Sequence, residues 1–401
     1  MFMNKIFTIL SITIFLAFSL PCCSQTIDKQ NIRIGIDPEE EFTTLRVQSF
    51  SGNWRIEFGG ATSTRDLLNE GEDCTIMLVP KGMVARTSDG KEFSAGYETI
   101  SIHGGDLLNL EIPDQPPVLL QGTLTVSFAE NSLRLVDTVS VHQHVVSSIS
   151  RLGITNEPEA LKALCVMART RLAWLLENPQ HKDSPYDVCD SSHCFPFAGC
   201  GYNRELVDIL ASMTAGLMIR HGGKLIFPRY HNTCGGRISS AKDIYGVEEP
   251  YHPAHSDLLE GKGSENCFHS PGFHWSIELQ KVDVLDFLSM AFAGGAERIY
   301  NGWEPEKVDA AGRIQQVTLR GRVPKSVAGV DFHRELNEFF GPNGIKSMKF
   351  TMEFLRRSII FRGMGQGDGV GLCMYGTDGL AKKSQKYLDI LKFYYPGTEI
   401  K

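Results

Sequence analysis

Between Asn156 and Glu177 the chain reads NEPEALKALCVMARTRLAWLLE, and this run constrains the fold more than any other. Leu161, Leu164, Cys165, Ala168, Leu172 and Leu175 recur at helical spacing, so a helix of about six turns has a face to bury. Asn156 is the expected N-cap, with Glu159 as its capping-box partner and Pro158 tolerated in the first turn. Asn178-Pro179 is the expected stop. Lys162 and Arg169 lie seven residues apart, which two turns bring back to one face.

What flanks this helix is of two kinds. From Ile32 to Thr138, the runs IRIGI, WRIEF, CTIMLV, ETISIH, LLNLEI and GTLTVSF are short, rich in β-branched residues and separated by Gly, Asp or Pro. They hold no cluster of acids, bases or metal ligands and read as a scaffold or anchoring β-domain. After the helix, a second amphipathic helix is expected over 204–214. GLMIRHGGKLIFPRYHNTCGG reads as a hairpin turning at Gly222-Gly223. Residues 276–345 mix a helix (VDVLDFLSMAFAG) with a strand (GRIQQVTLRGRV), a Gly-rich strand follows at 363–371, and a last helix lies near 380–393. The expected fold is α+β: a β-rich N-terminal domain over 24–138, then a mixed α/β domain over 139–401 with a variable α/β segment at about 276–345.

A chain of 401 residues buries a sizeable core with ease. Its net charge of −7 and its lack of any basic run argue against nucleic acid or an anionic membrane as partner. Residues 1–23 read as a secretory signal: a lysine, then the uncharged apolar IFTILSITIFLAFSL, too short to span a bilayer comfortably. SLPCCS follows, and Cys22 or Cys23 is either a lipid acceptor or incidental to a plain cleaved signal. A lipid anchor is the one membrane attachment expected, and the mature chain is expected in the cell envelope. Eight cysteines remain, an even count that suits bridges or a metal. Cys234 with Cys267 is one pairing the sequence admits.

Three stretches carry chemistry. Cys189-Asp-Ser-Ser-His193-Cys194, with His181 upstream and Cys200 downstream, has the thiolate and imidazole density of a tetrahedral zinc site. The alternative is a disulfide-bonded loop with bystander histidines. Tyr230-His-Asn-Thr-Cys-Gly235-Gly236-Arg ends a strand in two glycines, where backbone amides approach a ligand closely or simply turn. Gly363-Met-Gly-Gln-Gly-Asp368-Gly-Val-Gly371 has glycine at every odd position, which strips one face of a strand and lets a neighbouring backbone or a flat sugar ring lie against it. Asp368 is its one titratable group. The spacing is neither a dinucleotide fingerprint nor a P-loop.

Taken in order, PEALKALCVMARTRLAWL, VCDSSHC, RYHNTCGGR and GMGQGDGVGLCMYGTDGLAKKSQKYLDILKFYYPGTEI resemble the SpoIID/LytB family, which includes sporulation stage II protein D and amidase-enhancer proteins. The resemblance covers roughly residues 130–401. It implies action on peptidoglycan: lytic transglycosylases of this kind cleave between N-acetylmuramic acid and N-acetylglucosamine in glycan strands stripped of stem peptides. It also implies structural zinc on the Cys/His loop, with Cys189, His193 and Cys194 as ligands and His181 as the fourth. A cell-wall amidase is the implied protein partner.

The same resemblance raises a difficulty. Relatives carry their catalytic acid eight positions before the helix glutamate, and here that position is Arg151. Arginine donates no proton near neutral pH. Relatives also have histidine where this chain has Asp368, and glutamine at the positions of Leu164 and Met374. Two readings follow: a diverged transglycosylase in which Glu159 or Asp368 is the acid, or a glycan-binding or amidase-enhancing protein without chemistry. In either, Arg151, Lys162, Arg169, Tyr230, Gly235 and Gly236 are the expected sugar contacts. The start of the long helix, the twin-glycine bend and the alternating-glycine strand are expected to line one cleft. An exported, metal- or disulfide-stapled structural domain is the remaining alternative.

Overall fold

The computed structural model describes residues 27–37, 39–59, 64–191, 193–197, 199–201, 203–258, 263–294 and 299–401. The expected leader, with Cys22 and Cys23, lies outside the described residues. The protein is mixed α+β, with a β-rich N-terminal region.

The short alternating runs form two sheets. One orders the strands Val188–Cys189, Asn31–Ile36, Ser132–Ser140, Thr123–Ala129, Thr99–His103, Trp54–Gly59 and Thr64–Leu68. The other orders Val118–Leu120, Leu107–Glu111, Thr44–Ser51, Asp73–Val79, Gly82–Thr87 and Glu92–Tyr97. The period-two pattern points one side of each strand inward. Ile34, Ile56, Ile100 and Val126 thus meet Val47, Ile76 and Leu110 in one core. The parallel pairing of Gly35 with Cys189 fastens the Cys/His loop to the edge of the first sheet.

Eight helices are described: α1 (Val141–Leu152), α2 (Pro158–Glu177), α3 (Arg204–Met213), α4 (Ala241–Tyr245), α5 (Lys281–Ala293), α6 (Gly329–Phe340), α7 (Met374–Lys382) and α8 (Tyr387–Tyr394). The expected boundary at 138/139 falls inside the strand Ser132–Ser140, which runs straight into α1. Ser140 and Gln143 form a capping box there: Ser140 Oγ accepts from the Gln143 amide at 3.1 Å and Gln143 Oε1 from the Ser140 amide at 2.9 Å. The core is continuous across this point, from Ile32 through Val145 and Leu164 to Tyr394.

α2 begins at Pro158 with Glu157, not Asn156, as N-cap, and no side chain caps it. Asn156 instead accepts from Asn203, and Thr155 Oγ1 takes the Glu157 amide at 2.9 Å. The expected stripe is buried, but so is nearly every other face from Ala160 to Ala173. Arg169 is therefore fully buried, not a solvent-facing sugar contact. Its Nε pairs with Asp28 at 2.6 Å, and its guanidinium also donates to the Ala211 and Leu217 carbonyls. The hairpin turns at Gly222-Gly223 as expected, pairing Arg220 with Leu225. The single helix expected near 380–393 is two, because Ser384 takes a left-handed φ of 66° between α7 and α8.

Residues 274–364 carry a core of their own, with Phe287, Trp303, Val317, Phe332 and Phe361 at its centre between α5, α6 and two three-stranded sheets. Arg313 reaches out of it, donating to the carbonyls of Cys234 and Arg237.

The Gly-rich run corrects the sequence reading. The strand Ser358–Met364 stops at its start, and Gly365, Gly367, Gly369 and Gly371 are all left-handed. Protein already fills the space that their missing side chains leave. A Cβ on Gly363 would meet the Trp275 indole at 2.1 Å, and one on Gly369 the Arg313 guanidinium at 2.0 Å. No sugar ring lies flat here.

Two expectations follow. Arg169→Met leaves the Asp28 carboxylate buried without its cation, and chemical denaturation should register a loss of about 3–5 kcal/mol. Asp137 is fully buried, and burial alone raises its carboxyl to about 7. The stability gained by burying the neutral acid is complete below the unfolded pKa of about 3.9 and is lost as pH rises through 7. Asp137→Asn should therefore melt above the wild type at pH 8, with the difference closing towards pH 4.

Candidate functional site

Two arginines two residues apart on α2 organise the Cys/His loop and its surroundings. Arg169 holds Asp28, near the start of the described residues. Arg171 turns to the loop, its Nε and Nη2 donating to the carbonyls of Cys194 and His193, both at 2.8 Å. Phe227 and Tyr230 lie against the Arg171 guanidinium, at 4.0 and 5.7 Å from their ring centres. Burial pushes the Tyr230 phenol up to about 12, so it stays neutral; the ring packs within the fold.

The loop brings His181, Cys189, His193 and Cys194 together, with one donor atom of each within 4.8 Å of all the others. His181 Nε2 lies 3.2 Å from Cys194 Sγ and 3.1 Å from His193 Nε2, which in turn is 3.4 Å from Cys189 Sγ. Ser191 Oγ bonds His193 Nδ1 at 2.6 Å, which aims Nε2 into the group. Two imidazole nitrogens and two thiols around one point, with one imidazole oriented from outside, fit a tetrahedral zinc of the closed, structural kind. Cys189 gives up its proton more readily than a free thiol, because Cys194 donates a hydrogen bond to its sulfur and holds the single negative charge there.

The remaining expected site residues separate. Glu159 accepts from the Tyr387 amide at the start of α8 and from Lys162 Nζ at 2.9 Å. Burial works to raise its pKa, but the Tyr387 amide and the Lys162 ammonium outweigh that and hold it below the usual carboxylate range. It is a structural anion. Lys162 is spent on it, beside the Tyr387 ring. Asp368 accepts from the Tyr245 hydroxyl and from the Val370 amide. His231 Nδ1 lies 3.9 Å from Asp368 but bonds the Val370 carbonyl, and burial lowers its pKa to about 4, so the ring is neutral. Gly235 packs against the Gly365 backbone and Gly236 against Glu265, each left-handed, so the twin-glycine bend meets protein rather than solvent.

Arg151 stands elsewhere, in the last turn of α1, exposed, before the left-handed cap Gly153. A cation there complements the helix dipole. It also lines two adjoining clefts. One, of ≈630 Å³, has Thr155, Asn156, Glu157, Asn203, Asp378 and Lys382 around it. The other, of ≈440 Å³, runs on to Gln48, Phe50 and Asn109 of the second sheet. Arg151 and Gly201 belong to both. Among the described residues Arg151 has no hydrogen-bond or ion-pair partner. Neither cleft is lined by Gly235, Gly236 or the run from Gly363 to Gly371, so the three pieces expected to share one trough do not share this one.

Sequence reading missed Asp378. It is 1% exposed and sits at the first cleft, paired with His269 at 2.6 Å and Lys382 at 2.7 Å, and it accepts from Thr155 Oγ1 at 2.5 Å. The signal available was a lone Asp among small residues in GTDGLAKK, with Lys382 four residues on.

No protein-family model matches the chain. Its relatives give a consistent answer all the same. It is 24% identical to stage II sporulation protein D of Bacillus subtilis over 341 residues, 81% of this chain and 92% of that one. It is 22% identical to the amidase enhancer of the same organism over 60% of this chain, spanning 38% of that protein. An uncharacterised protein of Brachyspira hyodysenteriae is 27% identical over 242 residues, and the chain spans 61% of its length. These alignments support a SpoIID/LytB-like family for the chain.

Ser191 orients a ligand without touching the metal position. Ser191→Ala should weaken zinc affinity about 10- to 100-fold, read by competition with a chromogenic chelator.

Proposed function

We propose that the chain is an exported cell-envelope protein that holds peptidoglycan glycan strands in the Arg151 cleft without cleaving them. The observation that carries this reading is the cleft itself. It offers a guanidinium with no partner among the described residues, the amides of Asn156 and Asn203, and, farther along, the exposed ring of Phe50 beside Gln48 and Asn109. A guanidinium takes the lactyl carboxylate of muramic acid, carboxamides take N-acetyl groups, and an aromatic face takes a sugar ring.

Cleavage asks for something else, a carboxyl group that keeps its proton near neutrality to protonate the glycosidic oxygen. Position 151 carries a guanidinium, Glu159 is an anion tied to α8, and Asp368 lies off the cleft. The alternative, a lytic transglycosylase acting on the bond between N-acetylmuramic acid and N-acetylglucosamine of denuded strands, is favoured by two carboxyls that line the cleft as well: Glu157, and the buried Asp378, which His269 and Lys382 hold. In the binding reading, zinc on the Cys/His loop is structural, and a cell-wall amidase is the natural recipient of the held strand, as the name of one relative suggests. The leader at residues 1–23 would deliver the chain to the envelope, and Cys22 or Cys23 would tether it there.

The test uses purified sacculi and denuded glycan strands. Co-sedimentation should be strong for the wild type and weakened about 10- to 100-fold by Arg151→Ala, the loss expected for one charge-assisted contact. Mass spectrometry of incubated strands should find no anhydro-muramic products. Products that appear with the wild type and vanish in Glu157→Gln would replace this reading with the enzymatic one.

A further inference from the structure

A second group of thiols lies away from the Cys/His loop. Cys234 precedes the twin-glycine bend, Cys267 follows the segment opened by Asp257, and Cys373 caps α7. One donor atom from each of Cys234, Asp257, Cys267 and Cys373 lies within 4.8 Å of all the others, and all four residues are 0% exposed. Cys234 Sγ is 3.3 Å from Cys267 Sγ and 3.1 Å from Asp257 Oδ2. We propose that these residues form a second, buried tetrahedral zinc site of three thiolates and one carboxylate, clamping the twin-glycine bend, Asp257 and Cys267 to the start of α7.

The surroundings are arranged as a metal site needs. The two carboxylate oxygens of Asp257 divide their work. Oδ1 is held from outside by the Tyr394 hydroxyl at 2.7 Å and by Asn266 Nδ2 at 3.3 Å, which leaves Oδ2 facing the sulfurs. Cys373 Sγ accepts from the amides of Cys234 and Gly376, both at 3.3 Å, and sits at the positive end of α7. These are the contacts that stabilise a thiolate. Two glycines of α7 open the room for this approach: a Cβ on Gly376 would meet Tyr394 Oη at 2.1 Å, and one on Gly379 the Asn266 carbonyl at 1.9 Å.

The charge balance points the same way. Four groups that ionise to anions are packed together, and among the described residues no cationic side chain bonds any of them. Of the cations around it, Arg313 and Lys349 donate to the carbonyls of Cys234 and Gly235, and Lys383 donates to the side-chain oxygen of Asn266. They soften the local field without neutralising any one sulfur. Anions this close either hold protons or surround a cation.

A disulfide serves the group less well. The Cys234–Cys267 separation of 3.3 Å far exceeds a bond of about 2.05 Å. Bonding those two would consume a pair of thiols, take from Asp257 Oδ2 the hydrogen bond it accepts from Cys234, and leave the Cys373 sulfur, with its two amide donors, outside the bridge. Opening the same separation by about 0.5 Å reaches the edge of about 3.8 Å that two thiolates span on tetrahedral zinc.

The experiment measures zinc per chain in full-length protein purified without chelators. The wild type should hold about two ions, Cys373→Ser about one and Cys189→Ser about one. Cobalt then reads the ligands directly. In Cys189→Ser, which keeps the second site, the sulfur-to-cobalt charge-transfer band should match three thiolates, a result that stands even when Cys373→Ser fails to fold. One ion in the wild type that only Cys189→Ser removes would overturn the second site and leave the loop site standing. One ion that only Cys373→Ser removes would do the reverse, and no zinc at all would overturn both. A Cys234–Cys267 disulfide in non-reducing peptide maps of the purified protein would also overturn the proposal.

Discussion

A helix buried on nearly every side leaves its charged residues nowhere to go but inward, and α2 turns that constraint into architecture. Arg169 draws the start of the described chain, through Asp28, against the end of α3. Arg171 draws in the Cys/His loop by two of its carbonyls. Removing either guanidinium leaves buried acceptors unpaired, which is costly wherever water cannot replace the lost donor. The loop holds its shape because a charge beneath it is satisfied, and the strand Val188–Cys189 then binds it to the first sheet.

Much of this was legible in the chain. The alternating strands, the helices at 158–177 and 204–213 and the hairpin at Gly222-Gly223 follow from local spacing, and the gathering of His181, Cys189, His193 and Cys194 matches the set that the family resemblance implied. Local chemistry decides the strands, helices and hairpin, so a sequence reveals them. The capping box Ser140-x-x-Gln143 is equally local but went unread; it marks α1, the helix that carries Arg151 to its cleft.

What was not legible depended on partners distant in sequence. Asn156 and Glu159 have the spacing of a cap, but Asn203 and the Tyr387 amide compete for them and win. Lys162 and Arg169 share a helical face, yet that face is covered by α8 at one end and by α3 and Asp28 at the other. The alternating glycines suggested a bare face for either a neighbouring backbone or a sugar ring. They are bare because an indole, a guanidinium and neighbouring backbone occupy the space. Asp378 gave almost no signal, since its meaning comes from Thr155 and His269, both remote along the chain.

The Arg151 cleft crosses from the second sheet onto α1 and the start of α2. The N-terminal strands, which look from sequence like a detachable platform, supply part of the wall on which Phe50 and Asn109 stand. A chimera spliced near residue 140 would therefore pair half a groove with a stranger's other half, and the groove has to be inherited as one piece.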